Sequence, residues 1–471
     1  MYDDKSKQFC NQFILQSRID VDLYKKYVGD DFIEELKELA KPLKGKTWLN
    51  VNSTCVGGGV AELLYSVVPF AKGLGINCRW YVMEGVDEFF TVTKKFHNLL
   101  QGLDVKISLE EIFSAYLDTV QKNLKDKKLI GDMIIIHDPQ PAAAIMSGNI
   151  LGNVLWRCHI DTSEANEYIW RFLLPYVNQY DGAIFTSQDY IKDGIHIPTY
   201  AVPPAIDPFT EKNFEITDEE AYKNLEPLYA KHNIDAKRPM ILAVSRYDIH
   251  KNQKAIIQAF KKAKTDKVMQ KMKPILIIVG NSASDDPEGA EMYKEILVEI
   301  DNDPDIYPLV NIEDNDKNIS ALLKVAKGFV HVPTKEGFGL VVTEALWHGT
   351  PVIGSSVGGV KQQIIDGENG FLVQPHEVDK IALYIRNLLE DETGREIMSD
   401  KAIKHVKYNF LLPTLVKKYV LLMRYYLEID NELPEFRIND LTFKEIKRSV
   451  YSRKAWHFSI ADLKQKIERD L

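Results

Sequence analysis

The clearest chemistry in the sequence lies in Glu336-Gly337-Phe338-Gly339-Leu340-Val341-Val342-Thr343-Glu344-Ala345-Leu346-Trp347-His348-Gly349-Thr350-Pro351. The two carboxylates straddle a glycine-rich helix start, after an apolar run (Gly328 to Val332) that reads as a strand. Gly337 and Gly339 leave backbone amides open to an anion, and the helix dipole behind them favours negative charge. A carboxylate is repelled by a diphosphate, so Glu336 and Glu344 suit hydroxyl groups, those of a sugar and a ribose. Glu344 as a mere favourable acid near a helix N-terminus is the plainer alternative.

Three further segments sit where a strand hands over to a helix or turn. Ser245-Arg246-Tyr247-Asp248-Ile249-His250-Lys251-Asn252 follows the run Pro239–Ser245. Arg246 can fork two phosphate oxygens and Lys251 adds a compact second charge. Ser53-Thr54-Cys55-Val56-Gly57-Gly58-Gly59-Val60-Ala61-Glu62 is a second glycine loop before a helix. It is not GxGxxG, and a tight turn explains it as well as a phosphate cradle does. His137-Asp138-Pro139-Gln140-Pro141 and Arg157-Cys158-His159-Ile160-Asp161-Thr162-Ser163 each follow an apolar run. His159 is able to donate a hydrogen bond or shift a proton, although a histidine at a strand end is commonly structural. Asp301-Asn302-Asp303 and Asp314-Asn315-Asp316 resemble a metal-binding DxD but sit among polar loop residues, and no obligatory metal is expected.

Positioning these loops requires parallel sheets. Runs at 46–53, 78–83, 132–137, 154–158 and 183–186 alternate with amphipathic stretches, including a helix over 60–73 and mostly helical periodicity over 96–129. The uninterrupted DMIIIH run suits a strand buried on both faces. The pattern weakens where charges dominate between Pro208 and Arg238. It restarts with runs at 239–245, 274–280, 328–332 and 351–355, with helices over 253–264 and 319–327 between them. Strand–helix alternation in series predicts two α/β domains. The expected division is 1–215, 216–410, and a C-terminal helix and tail over 411–471 that packs back on the first domain.

The 471 residues carry 59 Lys+Arg against 68 Asp+Glu, a net charge of −9. That balance argues against a general nucleic-acid binder, and 45% hydrophobic with 27% charged residues is globular usage. The four cysteines, Cys10, Cys55, Cys78 and Cys158, show no metal spacing and suit a reducing compartment. The N-terminal stretch lacks the pattern of a signal peptide, and no apolar run is long enough for a membrane span. The expected location is the cytoplasm.

Together these segments resemble the retaining glycosyltransferases of the GT-B fold, glycosyltransferase family four. VNSTCVGGGVAELL, HDPQP, WRCHIDTS, DDPEG (285–289) and EGFGLVVTEALWHGTPVIGSSVGG narrow the resemblance to the trehalose glycosyltransferring synthases and the related trehalose phosphorylases. It covers most of residues 45–410. The chain departs from the pattern at Ile249-His250, which replaces a Pro-Trp of the family before the lysine, and in the tail beyond about 430.

The resemblance implies two Rossmann-like domains facing a central cleft, with a nucleoside-diphosphate sugar held by the second and a small sugar acceptor by the first. Arg246, Lys251, Glu336 and His159 would be catalytic. Gly57, Gly58, Gly59, Gly337, Phe338, Gly339 and Glu344 would join Arg246, Lys251 and Glu336 around the donor, and Asp138, Gln140 and Asp161 would meet the acceptor. The implied reaction moves glucose from a nucleoside-diphosphate glucose to glucose, with retention, forming trehalose reversibly. Competing readings are a trehalose phosphorylase using inorganic phosphate, a sugar-nucleotide epimerase and a non-catalytic sugar-nucleotide sensor. No cofactor is implied; a homodimer is left open, as are the donor base and the true acceptor.

Overall fold

The computed structural model describes residues 17–55, 58–280, 287–431 and 434–438. These form two compact units: the described residues up to Pro204 together with those from Leu412 onward, and Ala205–Leu411.

The first unit holds β1 (Thr47–Asn52), β2 (Asn77–Val82), β3 (Leu129–His137), β4 (Ile150–Cys158), β5 (Gly182–Phe185) and β6 (Thr199–Ala201). The second holds β7 (Met240–Val244), β8 (Ile275–Gly280), β9 (Ile306–Val310), β10 (Gly328–His331), β11 (Val352–Ser355) and β12 (Gly370–Val373). Helices relevant below are α1 (Asp30–Ala40), α2 (Gly59–Gly73), α3 (Asp87–Leu100), α4 (Glu167–Val177), α5 (Asp218–His232), α6 (Gln253–Lys264), α7 (Asn315–Val325), α8 (Leu340–Trp347) and α9 (Leu412–Tyr426).

Both sheets are parallel throughout. Their strand orders are β2-β1-β3-β4-β5-β6 and β12-β11-β10-β7-β8-β9. Each order reverses direction once, between β1 and β3 in the first sheet and between β7 and β10 in the second. At such a reversal the following connections diverge to opposite faces and leave a crevice beyond the strand ends. The crevices therefore lie at Ser53 and Asp138 in one unit, and at Ser245 and Val332 in the other.

Ile134, Ile135 and Ile136 of β3 are fully buried, as are Leu276, Ile277 and Ile278 of β8. Apolar side chains on both faces of a strand stay out of water only when helices cover both faces, which is why these runs do not alternate. One face of the first sheet buries Ile134 and Ile136 with Phe89, Phe96, Tyr116 and Phe172. In the second unit Ile241, Leu276 and Ile278 pack with Ile256, Ile257 and Phe260 of α6.

The helical stretch expected over 96–129 divides differently. Helix α3 begins at Asp87 and ends at Leu100, Gly102 follows with φ +81°, and helix resumes at Leu109. A π-helical turn spans Ile112–Leu117. Periodicity misses the break because the apolar positions on either side face one core. The charge-dominated stretch 208–238 contains α5, opened by a Thr217–Glu220 capping box. Its solvent-facing positions carry the charges that dilute the apolar signal. The short strands β6, β9 and β12 escape the sequence reading because three to five residues carry little pattern.

Helix α9 belongs to the first unit. Lys417 pairs with Glu35 at 2.7 Å, and Arg424 Nη1 donates to the Leu39 carbonyl at 2.8 Å, both on α1. The Tyr426 hydroxyl donates to the Asp181 carbonyl at 3.0 Å. Cys78 and Cys158 are buried free thiols. Cys55 is disulfide-bonded, so the four cysteines are not all the isolated thiols that their scatter suggests.

Candidate active site

In the second unit, loops that leave β7 and β10 bring Lys251 and Glu336 together. After β7, Gln253 lies buried and its Nε2 donates to Ser245 Oγ (2.9 Å) and the Arg246 carbonyl (2.8 Å). Asp248 caps the short turn Ile249–Lys251 by accepting from the His250 amide at 2.8 Å. Asn252 adopts φ +56°, a left-handed conformation that asparagine tolerates. From there its side-chain amide donates to the carbonyls of Val332 (3.0 Å) and Pro375 (2.9 Å). The Thr334 amide donates to the His250 carbonyl at 2.8 Å. These bonds stitch the two loops into one piece.

Lys251 Nζ therefore meets Glu336 Oε2 at 2.7 Å, and His331 Nε2 meets the same oxygen at 2.9 Å. Burial opposes charge on Glu336, but the Lys251 ammonium and the two hydrogen bonds outweigh it and hold the carboxyl well below its usual range. Glu336 is thus a fixed carboxylate. His331, the last residue of β10, was not singled out from sequence; its only signal there was its place at a strand end, five residues before Glu336.

Arg246 lies in the same loop with a side chain 70% exposed, and its nearest acidic group is Asp248 at 3.8 Å. It is a solvated guanidinium five residues before Lys251.

Gly337 and Phe338 follow Glu336, and Gly339 takes φ +78° as the residue before α8. Gln363, fully buried, donates from Nε2 to the carbonyls of Phe338 (2.6 Å) and Gly359 (3.2 Å), and Thr343 donates to its Oε1. A Cβ on Gly359 would lie 2.4 Å from Phe338 Cα, so that position has room for glycine alone. Gln363 and Gly359 shape the glycine loop from outside it, and sequence reasoning missed both. Gln363→Leu is expected to destabilise the protein by about 1–3 kcal/mol, because buried carbonyls lose their donor. Urea denaturation reads the change, and an unaltered midpoint would show that the amide does not hold the loop.

Glu344 occupies the second turn of α8 and is buried; Lys212 Nζ lies 3.2 Å from its Oε1. Trp347 Nε1 donates to the Asn213 carbonyl at 2.7 Å, and His348 Nε2 lies 2.9 Å from the Lys212 carbonyl. Segment 212–213 is thereby fastened along the helix. Gly349, with φ +79°, ends it.

In the first unit, β1 ends at Asn52, whose side chain donates to the Thr54 carbonyl (2.6 Å) and accepts from Trp80 Nε1 (2.7 Å). Gly58 precedes α2 with φ +85° and Gly59 is its first residue; Gly57 lies outside the described residues. Asp138 and His159 follow β3 and β4. Asp138 has φ +66°, and its Oδ1 accepts from the His159 amide at 2.8 Å. Gln140 lies in the turn after β3, and Asp161 Oδ1 accepts from the amide (3.0 Å) and hydroxyl (2.6 Å) of Ser163. Asp138, Gln140 and His159 thus collect around the ends of neighbouring strands, while Asp161 shapes its own turn.

Burial pushes the Asp138 carboxyl up to about 6, with the His159 amide and the Arg157 charge opposing part of the rise. Between its ordinary 3.8 and about 6 the folded chain holds a proton that the unfolded chain has released. This residue's contribution to stability is therefore full below pH 3.8 and is lost as pH rises through about 6. Relative to Asp138→Asn, which cannot titrate, the native protein should lose stability between pH 4 and pH 7. A constant difference in denaturation midpoint across that range would rule out the raised value.

A family model described as "Trehalose synthase, N-terminal domain" matches residues 50–192, and one described as "Glycosyl transferases group 1" matches 226–405. The trehalose synthase of Thermococcus litoralis is 38% identical over 401 residues, covering 84% of this chain and 95% of that protein. The chain belongs to the trehalose synthase family of group 1 glycosyltransferases.

Within this family, the trehalose synthase of Rubrobacter xylanophilus is 35% identical, covering 84% of this chain and 94% of that protein. The trehalose phosphorylase of Grifola frondosa is more distant, 27% identical, with 82% of this chain and 58% of that protein covered. Among solved structures, a UDP-forming α,α-trehalose-phosphate synthase from Burkholderia xenovorans in complex with glucose-6-phosphate superposes with a TM-score of 0.63. The match spans 81% of this chain and 100% of that one at 14% identity. The Escherichia coli protein bound with UDP-2-fluoro glucose gives 0.64 at 14% identity, over 80% and 99% of the chains. These likenesses are of fold, and the fold is GT-B. No helix among the described residues is long and apolar enough to cross a membrane.

Proposed function

We propose that this family member is a retaining hexosyltransferase of the cytoplasm that moves glucose from a nucleoside-diphosphate glucose to glucose, forming trehalose in a reversible reaction. The observation that carries the reading is the Glu336 carboxylate, held by Lys251 and His331 at the crevice of the second sheet, in a chain 38% identical to a trehalose synthase.

The demanding step is rupture of the bond between the anomeric carbon and the diphosphate oxygen. The electron pair leaves with the diphosphate while positive charge spreads over the sugar ring, as in other oxocarbenium-like transfers. Arg246, Lys251 and the amides at Gly337–Gly339 take up the growing negative charge, which is why the reading needs no metal. Glu336 binds hydroxyls of the donor sugar and favours the positive ring. Glu344 takes the ribose hydroxyls, and Gly57–Gly59 add amides to the donor. His159 hydrogen-bonds the sugar near the reacting carbon. Asp138, Gln140 and Asp161 receive the acceptor. The acceptor hydroxyl attacks from the face that the diphosphate leaves, so the α configuration is kept. Its proton passes to the departing diphosphate oxygen, and no protein base is required.

Glu336→Gln retains the size of the side chain but loses its charge. Discrimination among donor sugars should fall by roughly 10–100-fold in kcat/KM, the scale of one or two hydrogen bonds to a charged group. Unchanged donor preference would remove Glu336 from the sugar.

The test of the whole reading is a screen of nucleoside-diphosphate glucoses against sugar acceptors, with product linkage assigned by NMR. The expected product is α,α-linked trehalose, and trehalose with a nucleoside diphosphate should regenerate the donor. Cleavage of trehalose by inorganic phosphate alone would assign the chain to phosphorolysis instead. Tight donor binding without transfer to any acceptor would make it a sensor.

A further inference from the structure

Arg157, next to last in β4, is fully buried. Its Nη2 donates to the Val202 carbonyl at 2.8 Å, and its guanidinium lies 5.6 Å from the ring centre of Tyr419 on α9. Nη1 has no hydrogen-bond partner among the described residues. Nε donates to Nε2 of His159 at 3.3 Å. Burying a cation with part of its donor set unmet is costly, so a role for that charge is worth seeking.

A guanidinium has donors only and does not lose its proton. The nitrogen it addresses, Nε2 of His159, must then be the bare one. Burial first, then the Arg157 charge and His137, hold the His159 ring well below its ordinary range, so the ring is neutral. Its proton is therefore on Nδ1. The same logic runs outward. His137 Nδ1 lies 3.0 Å from His159 Nε2 and must donate to it. Burial and Arg157 hold His137 down to about 3, so it too is neutral and its Nε2 is bare. Asn50 Oδ1 is placed 3.1 Å from that nitrogen while Nδ2 donates to the Arg79 carbonyl at 3.4 Å, so a bare Nε2 requires the amide to turn over and give up the Arg79 bond. The turn would put the Asn50 oxygen in the place of Nδ2, which lies 3.5 Å from Cys78 Sγ, a thiol that burial keeps protonated. With the Asn50 amide so turned, every donor in this row points toward His159. The opposite tautomer would set an N–H of His159 against the N–H of Arg157.

We propose that Arg157 is a positioning residue that fixes His159 as its Nδ1–H tautomer, so that this partly buried ring offers a sugar or diphosphate oxygen a hydrogen-bond donor and never an acceptor. The functional half rests on the reading above that His159 meets the donor sugar. It also means that His159 cannot take the acceptor's proton, which leaves the departing diphosphate to do so.

The test is long-range proton–nitrogen NMR on the full chain labelled with nitrogen-15 histidine, His159 being assigned from the signals lost in His159→Gln. The native spectrum should show a protonated Nδ1 and a bare Nε2. In Arg157→Met the pattern should shift toward Nε2–H, and kcat should fall about tenfold, the worth of one hydrogen bond, with KM changed less than about threefold. Arg157→Lys, lacking the planar fork, should restore only part of the native pattern. A native Nε2–H signal, or identical signals in native protein and Arg157→Met, would overturn the proposal. Should Arg157→Met fail to fold, the native spectrum decides alone. Transfer at the native rate by His159→Gln would overturn the sugar contact while leaving the tautomer result intact, which separates the two failures.

Discussion

Lys251→Ala should lower turnover by about 100–1,000-fold, the usual cost of deleting one preorganised partner of a developing oxyanion. It should also destabilise the fold. Lys251 and Glu336 are only 15% and 13% exposed, and removing one member of a buried pair leaves the other charge uncompensated, at about 3–5 kcal/mol. His331 Nε2 remains within 2.9 Å of Glu336, which places the expectation at the lower end. Steady-state kinetics and urea denaturation on the same preparation separate the effects. Adding Glu336→Gln removes the stranded charge, so the double variant should recover stability without recovering turnover. Near-native turnover in Lys251→Ala would remove this lysine from the diphosphate. A double variant no more stable than Lys251→Ala would show that the pair is not the source of the lost stability.

Arg246→Ala carries the second large expectation, and its signature is the reverse. The side chain is 70% exposed, and its ion pair with Asp248 is long, at 3.8 Å. Surface substitutions of this kind stay within about 0.5 kcal/mol in stability. Turnover should nonetheless fall by about 100-fold, because a guanidinium clamps two oxygens of a departing diphosphate. Donor titration by calorimetry and single-turnover kinetics distinguish a binding loss from a loss in the barrier. An Arg246→Ala protein that transfers glucose at the native rate would end the diphosphate assignment for this residue. A large drop in its denaturation midpoint would show a structural role that the exposed geometry does not account for.

The two variants together probe one feature, charge matched between a loop after β7 and a loop after β10. That match depends on backbone more than on the charges themselves. Asn252 bridges Val332 and Pro375, and His250 accepts from Thr334. The stitching passes through the His250 main chain and so does not depend on which side chain stands there. Its side chain adds a contact, with Nδ1 3.2 Å from Thr334 Oγ1.

Much of the architecture was legible in the residues themselves. Apolar runs such as DMIIIH and ILIIVG announce strands buried on both faces, because they are short, rich in β-branched side chains and bounded by turn residues. Glycine, asparagine and proline at their ends mark the loops, and the spacing of Glu336, Gly339 and Glu344 places them around a helix start, as α8 bears out. Local chemistry of this kind is encoded within ten or so residues, so one sequence suffices to read it. What only the tertiary structure decided is which loops meet. Strand order is a matter of long-range pairing, and nothing local says that β10 lies beside β7 and not beside β9. The pairing of Glu336 with Lys251, 85 residues away, the Gln363 brace on the Phe338 carbonyl and the contact between His137 and Asn50 all follow from that order. Each joins segments that become neighbours only once the parallel sheets have formed.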